Sequence, residues 1–200
     1  DQNVLIPRPE TEELVEWIIS DYKLHEGELK ILDIGSGSGC IPISLKRKMR
    51  KTEIWSCDIG EDAIAVARKN AMAHGVEVKF IQLDFLDKEQ WKKLPSFDII
   101  VSNPPYIPEK DKGAMQPNVL NYEPGSALFV PDNDSLVFYK AIAEFGKQHL
   151  NKGGTIYFEI HEDLGKAVIE LLREKNYTAE LKKDIQGKDR MIKSGVLEKN

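Results

Sequence analysis

An α/β fold built on an open sheet is predicted by two features of the sequence. Short apolar runs typical of strands alternate with segments of helical periodicity. The first four of these strands each end in glycine or polar residues, as expected where parallel strands finish at one edge of a sheet. Two hundred residues with 41% apolar content can bury one sizeable core, so we expect a single domain over residues 1–200.

The helices are predicted from apolar residues that recur at helical spacing. They are expected at residues 11–22, 40–49, 61–73, 134–150 and 164–175. The buried side of the first is expected at Leu14, Val15, Ile18 and Ile19. We predict that Thr11 caps this helix and that Asp134 or Ser135 caps the fourth, because these side chains can accept from free backbone N–H groups. Residues 1–28 are then a lead-in loop and helix.

The strands are predicted from short apolar runs bounded by turn residues. They are expected at residues 30–34, 53–57, 78–83, 97–102 and 155–160, followed by an antiparallel hairpin of residues 177–183 and 190–196 across Gly187. Residues 151–154 are expected to end the fourth helix before the fifth strand begins. Residues 107–133 are rich in proline and glycine, and we predict a long loop that shapes a substrate pocket, with Tyr122, Glu123 and Pro124 packed back towards the site.

A glycine-rich turn joins the first strand to the second helix and predicts a nucleotide or cofactor cradle. The turn consists of Gly35, Ser36, Gly37, Ser38 and Gly39. Glycines let a backbone approach a ligand closely, and a helix start offers unpaired N–H groups. The spacing differs from the dinucleotide fingerprint, since Cys40 stands where the third glycine of that pattern would be.

The next strands also end in polar residues. Asp58 follows the second strand, about twenty residues beyond the glycine turn, where a carboxylate can accept both hydroxyls of a ribose. Asp84 and Phe85 follow the third strand, and Asn103 follows the fourth. A lone aspartate is more often a cap or turn residue. Polar residues at every strand end in the same sense favour a binding site.

The residues after the fourth strand are Asn103, Pro104, Pro105 and Tyr106, and they predict a stiff, extended exit from the sheet. The Asn103 amide, the Pro104 carbonyl and the Tyr106 ring would be held at fixed positions. Two acceptors beside a flat ring suit a planar group that carries an NH2. A structural turn with Tyr106 packed on it explains the tetrapeptide almost equally well.

Composition and charge narrow the class of protein. The net charge is −5, which argues mildly against a nucleic-acid partner, although Lys46, Arg47, Lys48, Arg50 and Lys51 form a local basic cluster. No apolar run is long enough to span a membrane. The two cysteines are expected to be reduced, as in a cytoplasmic protein. The four histidines are scattered, so no metal site is predicted.

Taken together, these motifs resemble those of S-adenosylmethionine-dependent methyltransferases with a seven-stranded, Rossmann-like class I sheet. Within that class, the run Ile6-Pro7-Arg8-Pro9-Glu10-Thr11-Glu12 is similar to one in the protein-glutamine methyltransferases of peptide chain release factors, the HemK/PrmC family. The same family is indicated by Tyr122-Glu123-Pro124, Ala127-Leu128, Gly187 and Asp189-Arg190. The resemblance covers residues 4–196.

The resemblance implies a mostly parallel sheet with an antiparallel C-terminal hairpin, S-adenosyl-L-methionine as cofactor and a release factor as protein substrate. It implies that the glycine turn contacts the methionine part of the cofactor and that Asp84 and Phe85 contact the adenine. Asn103, Pro104, Pro105 and Tyr106 would bind the substrate glutamine, with Asn103, Pro104 and Tyr106 as the catalytic residues and Asn103 also beside the cofactor. Relatives carry a further N-terminal helical domain, so we expect the catalytic domain alone here, acting as a monomer without direct nucleic-acid or membrane contact.

Two alternatives stay open from the sequence. The same tetrapeptide could bind an exocyclic amino group of a nucleic-acid base, and the chain could bind the cofactor without transferring a methyl group. The roles of Arg8 and Glu10 are also open between a docking loop and direct ligand contact.

Overall fold

The structure is a computed structural model that describes residue 4 and residues 6–114 and 128–197. Its central sheet has seven strands in the order β3-β2-β1-β4-β7-β9-β8. The strands are β1 Leu29–Ile34, β2 Thr52–Asp58, β3 Lys79–Gln82, β4 Phe97–Ser102, β7 Leu150–Glu159, β8 Glu180–Lys183 and β9 Asp189–Gly195. Strands β1 to β4 and β7 run parallel, whereas β9 runs antiparallel to β7 and to β8. The predicted sheet and C-terminal hairpin are confirmed.

Within the described residues, five α-helices cover the two faces of this sheet. They are α1 Pro9–Asp21, α2 Cys40–Lys48, α3 Glu61–Ala73, α4 Val137–His149 and α5 Gly165–Glu174. Neighbouring residues of one strand point to opposite faces, so Ile31 packs against α1 and α2 while Leu32 packs on the side of α4 and α5. The central strands β1 and β4 are buried on both faces, which explains their largely apolar sequences.

Both predicted helix caps are wrong. Helix α1 begins at Pro9 with Arg8 as its N-cap, because proline suits the first helical position; Thr11 therefore lies inside the helix and is buried. Helix α4 begins at Val137 with Leu136 as its N-cap, and no side chain caps it. Asp134 instead accepts from the Leu136 amide, one residue too early to start the helix.

The predicted end of the fourth helix is confirmed, because α4 ends at His149. The predicted strand start at Thr155 is wrong, because β7 already begins at Leu150 and runs through residues 151–154. The pairing shifts register between Phe97 and Ile99 of β4, opposite Leu150 and Thr155, and Gly153 has a φ of +76°. The extra residues of β7 thus form an irregular bulge rather than a loop.

The segment after β4 is more structured than the predicted loop. Strand β5 Ile107–Pro108 pairs in parallel with β6 Phe129–Val130, and a short 3-10 helix covers Glu109–Ala114. The predicted position of Tyr122, Glu123 and Pro124 against the site lies outside the described residues, as does Ala127. None of the helices in the described residues is long and apolar enough to cross a lipid bilayer.

Candidate active site

The glycine turn after β1 is tied to β2 by backbone hydrogen bonds. The Gly35 and Ser36 amides both donate to the Cys57 carbonyl, at 2.9 and 3.0 Å. Gly35 has a φ of +89° and Gly39, the N-cap of α2, a φ of +80°, a region that glycine adopts at low cost. A Cβ on Gly39 would also lie 3.0 Å from the Ile43 side chain. The turn therefore needs glycine for both conformation and space.

Asp58, at the end of β2, lies directly beside this turn. Its carboxylate accepts from the Gly37 amide at 3.0 Å and from the Gly60 amide at 2.9 Å, one through each oxygen. A carboxylate has about four lone-pair sites, so two remain for a ligand. Asp58 thus fixes the glycine turn and can still accept from two hydroxyls.

Asp84 and Phe85 lie at the end of β3, where the two side chains differ in environment. One Asp84 oxygen accepts from the Leu86 amide at 2.9 Å, which makes this residue a turn cap as well as a wall of the site. The Phe85 ring is buried, with its centroid 5.2 Å from that of Phe145 in an edge-to-face contact. The Phe85 ring therefore stabilises the core.

Asn103 follows β4 and lies next to a buried pair from two other elements. Thr11 of α1 donates its hydroxyl to Glu159, the last residue of β7, with 2.7 Å between Oγ1 and Oε2. The Nδ2 atom of Asn103 lies 3.5 Å from the same Thr11 oxygen. Among the described residues, none donates a hydrogen bond to Oδ1 of Asn103 or to the Pro104 carbonyl.

The two prolines and the tyrosine are not equivalent. Pro104 and Pro105 line the same wall as Asn103, and the Pro104 ring is buried. Tyr106 lies outside that wall, with its ring centroid 5.4 Å from that of His161. Burial raises the pKa of the Tyr106 hydroxyl, and Glu159 acts in the same direction.

These strand ends surround one cavity of about 450 Å³, which is within the usual range of small-molecule sites, roughly 300–1,000 Å³. Its walls include every residue predicted to bind the cofactor, namely Gly35 to Ser38, Asp58, Asp84, Phe85 and Asn103, except Gly39, which lies just behind the turn. No lysine or arginine among the described residues lines it. The predicted residues are thus brought together, with Gly39 and Tyr106 just outside the walls.

Several wall residues were not predicted. Ile59 and Leu86 are large apolar residues with 56% and 39% of their surface exposed at the cavity. Ile59 directly follows Asp58, and Leu86 lies two residues after Asp84. An apolar residue in such a polar turn is the sequence signal from which these wall residues could have been predicted. Thr11 was predicted only as a cap, and Phe138 of α4 was predicted only as part of a helix.

Two carboxyl groups near the site are buried. Burial raises the pKa of Glu159 to about 7, although the Thr11 hydrogen bond, Arg190 and Asn103 oppose this shift. Burial also raises the pKa of Asp33, in β1, to about 8. The Cys40 thiol has its pKa raised to about 11 by burial, so it is protonated near neutral pH and is not a candidate nucleophile. No group of three or more metal-ligating side chains occurs in the described part of the chain.

Comparisons with known proteins connect this geometry to a family. A family model described as "Methyltransferase small domain" matches residues 14–121. The release factor glutamine methyltransferase of Flavobacterium psychrophilum is 50% identical over 196 residues, which cover 96% of this chain and 68% of that protein. The chain belongs to the release factor glutamine methyltransferase family.

Solved structures agree with the membership of this family. The protein-(glutamine-N5) methyltransferase, release factor-specific, of Alicyclobacillus acidocaldarius is 25% identical with a TM-score of 0.57, covering 96% of this chain and 95% of that one. The ribosomal protein L11 methylase of Lactobacillus delbrueckii subsp. bulgaricus has a TM-score of 0.68 at 18% identity, with coverages of 98% and 82%, and it shows the shared fold.

Members of the release factor glutamine methyltransferase family use S-adenosylmethionine, and the cavity fits this molecule in three respects. At Gly37 the backbone of the glycine turn borders open space, since an added Cβ would meet nothing within 4 Å, so a ligand can approach it closely. Asp58 keeps acceptor capacity for hydroxyl groups beside that turn. Apolar Ile59 and Leu86 flank the wall formed by Asp84, as a flat aromatic base requires.

Proposed function

We propose that this chain transfers a methyl group from S-adenosylmethionine to the side-chain amide nitrogen of a glutamine in a Gly-Gly-Gln loop of a peptide chain release factor. The observation that carries the proposal is a pair of acceptors at the cavity wall, the Asn103 side-chain oxygen and the Pro104 carbonyl, to which no described residue donates a hydrogen bond. These two oxygens match the two N–H bonds of a primary amide.

Asn103 and Pro104 orient the substrate nitrogen in this mechanism. The amide nitrogen is a poor nucleophile because its lone pair is delocalised into the carbonyl. Each acceptor holds one N–H, which aims the nitrogen at the cavity and favours the positive charge that develops on it during attack. When bound, S-adenosylmethionine supplies an electrophilic methyl group and needs only a nucleophile in line with its S–C bond.

The other predicted residues bind rather than react. Asp58 accepts from ribose hydroxyls, and Asp84 together with the backbone of Phe85 contacts the adenine. Gly35 to Gly39 hold the methionine part through the close approach of their backbone. Tyr106 stacks on the amide plane of the substrate, and this role requires the substrate to enter between the cavity wall and the Tyr106–His161 pair.

The charge distribution supports a protein substrate over a nucleic-acid base. The basic residues Lys46, Arg47, Lys48 and Arg50 lie at the C-terminal end of α2, together with His74 of the α3 end. That end of α2 is opposite to the glycine turn, so the basic cluster does not border the cavity. We propose accordingly a cytoplasmic, monomeric enzyme domain in residues 1–200 that contacts a release factor and no nucleic acid.

One experiment tests these statements. The chain and labelled S-adenosylmethionine are incubated in three separate reactions, one with release factor, one with tRNA and one with DNA. The transferred methyl group is then located by mass spectrometry. We expect label on the glutamine of the release factor alone. Label on a nucleic-acid base would show the alternative reaction, and cofactor binding without any transfer would show a binding domain.

The Asn103→Ala variant tests the role of the acceptor pair. We expect kcat to fall by about 100-fold or more, since one preorganised hydrogen-bond partner is lost, while cofactor affinity changes little. Asn151→Ala is a matched control, because it removes the same kind of amide, which hydrogen-bonds Asp98 far from the cavity. Near-normal turnover in the Asn103 variant would refute this role.

A further inference from the structure

Glu159 is a buried acid that the mechanism above does not use, although it lies beside Asn103. It is the last residue of β7 and has 3% of its surface exposed. Its backbone carbonyl accepts from the Tyr139 hydroxyl at 3.2 Å, and its neighbour Ile160 is held to Arg190 of β9 through backbone and side-chain hydrogen bonds. The backbone that carries this side chain is therefore fixed in position from two sides.

The hydrogen-bond donors around this carboxyl group determine how Asn103 must face. Thr11 gives its only proton to Glu159, which leaves the hydroxyl oxygen free to accept from Nδ2 of Asn103. A hydrogen bond from Asn103 also favours the ionised form of Glu159. Both partners thus require the NH2 end of the Asn103 amide, and the opposite end, Oδ1, is left for the substrate.

We propose that Glu159, acting partly through Thr11, is a positioning residue that holds the Asn103 amide with its oxygen towards the substrate and strengthens that oxygen as an acceptor. The inference rests on the proposed function of Asn103. A flipped amide would set its oxygen against the Thr11 oxygen and a carboxylate, so the electrostatic repulsion disfavours it. A negative charge at the NH2 end also polarises the amide towards its oxygen.

The charge state of Glu159 makes this arrangement sensitive to pH. Arg190 of β9 and the donors Thr11 and Asn103 favour the carboxylate, whereas burial and Glu10 of α1 oppose it. Tyr106 and Tyr139 also face this group and stay neutral, because burial raises the pKa of both hydroxyls. Arg8, the N-cap of α1, acts electrostatically on Tyr106 and lowers the pKa of its hydroxyl. Since the pKa of Glu159 is about 7, the carboxylate forms as the pH rises through neutrality.

The first test is kinetic and compares Glu159→Gln with the wild-type chain, with release factor as substrate, from about pH 6 to about pH 8.5. We expect kcat of the wild type to rise through pH 7, and we expect the variant to lose about 10- to 100-fold at the upper end and to be flat with pH. The Kd for S-adenosylmethionine should stay within about twofold, because Glu159 is not in the cofactor wall. Glu162→Gln is the control, since this partly exposed acid forms its ion pair with Lys188 and should behave as wild type.

Thr11→Val separates orientation from charge. It removes the hydroxyl that connects Asn103 to Glu159 but keeps the carboxylate, so kcat should fall by less than in Glu159→Gln and should still depend on pH. A Glu159→Gln variant with wild-type kcat and an unchanged pH profile would overturn the inference. A wild-type chain that methylates no release factor would instead overturn the proposed function.

The second test does not need activity. The side-chain NH2 resonances of Asn103, assigned by their loss in Asn103→Ala, are followed by NMR as a function of pH. In the wild type their shifts should change with a midpoint near pH 7, and in Glu159→Gln this titration should vanish. If the Asn103 chemical shifts of the wild type do not change with pH, the proposed coupling between Glu159 and Asn103 is refuted, whatever the kinetic result.

Discussion

Asp33 should make the stability of this protein fall as the pH rises, and Asp33→Asn should remove that fall. The side chain is fully buried in β1. One oxygen accepts from the Ser56 hydroxyl at 2.7 Å, and the other, Oδ1, has no hydrogen-bond partner among the described residues. Burial, with a smaller contribution from Asp58, raises the pKa of Asp33 from 3.8 to about 8.

The sign follows from where the proton is held. Between about pH 4 and about pH 8 the folded chain keeps the Asp33 proton while the unfolded chain has released it. Folding therefore takes up a proton in this range and becomes less favourable as the pH rises. The stabilisation is complete below the unfolded pKa and is lost as the pH rises towards the folded pKa. A difference of one proton corresponds to a slope of about 1.4 kcal/mol per pH unit at most.

Urea unfolding of wild type and Asp33→Asn, at several values between about pH 5 and about pH 7.5, measures this slope. The free energy of unfolding of the variant minus that of the wild type should increase by about 2–3 kcal/mol from the lowest to the highest pH. Glu159 titrates in the same range but is present in both proteins, so its effect cancels in the difference. The exposed Glu77→Gln controls for the loss of one charge, and a difference between Asp33→Asn and wild type that does not change with pH would refute the reasoning.

Two further substitutions test the turn and the surface. Gly39→Ala should destabilise the protein by about 1 kcal/mol or more beyond Gly75→Ala, because both glycines have positive φ but only an added Cβ at Gly39 would meet the Ile43 side chain. Of the two variants, only Gly39→Ala should weaken S-adenosylmethionine binding. Thermal unfolding and binding calorimetry measure these effects, and equal effects in the two variants would contradict this account of the turn. Lys88→Met should change the free energy of unfolding by less than about 1 kcal/mol, because its ion pair with Glu144 is exposed, and a larger loss in urea unfolding would show that this pair is more than a surface contact.

The sheet and most residues of the cavity wall could be predicted because their signals are local. The buried side of α1, at Leu14, Val15 and Ile18, follows from helical spacing alone. Asp58 and Asp84 directly follow apolar runs, and parallel strands bring such ends to one edge without further information. The prediction needed only the periodicity of short segments and the direction of the strands.

The starts of α2 and α3 were predicted correctly, whereas those of α1 and α4 were wrong. Several residues near a helix start can act as caps, and local sequence does not rank them. Pro9 decided the start of α1, and Thr11 was displaced into the first turn. Its hydroxyl then found a partner in Glu159 rather than in the backbone of its own helix. The cap prediction was wrong because it assumed that a hydroxyl near a helix start bonds locally.

Thr11 also shows why the groups that contact the Asn103 amide were not predicted. Thr11 and Glu159 are 148 residues apart in sequence, and no pattern of spacing in either segment relates them. Only the order of the sheet, which places β7 beside β4 and lays α1 against β7, brings the pair next to Asn103. A motif can therefore identify the atoms that touch the substrate, whereas the groups that aim those atoms depend on tertiary contacts. In this chain, Asn103 and its neighbours in sequence are therefore an incomplete description of the proposed acceptor, because the groups beside its amide come from α1 and β7.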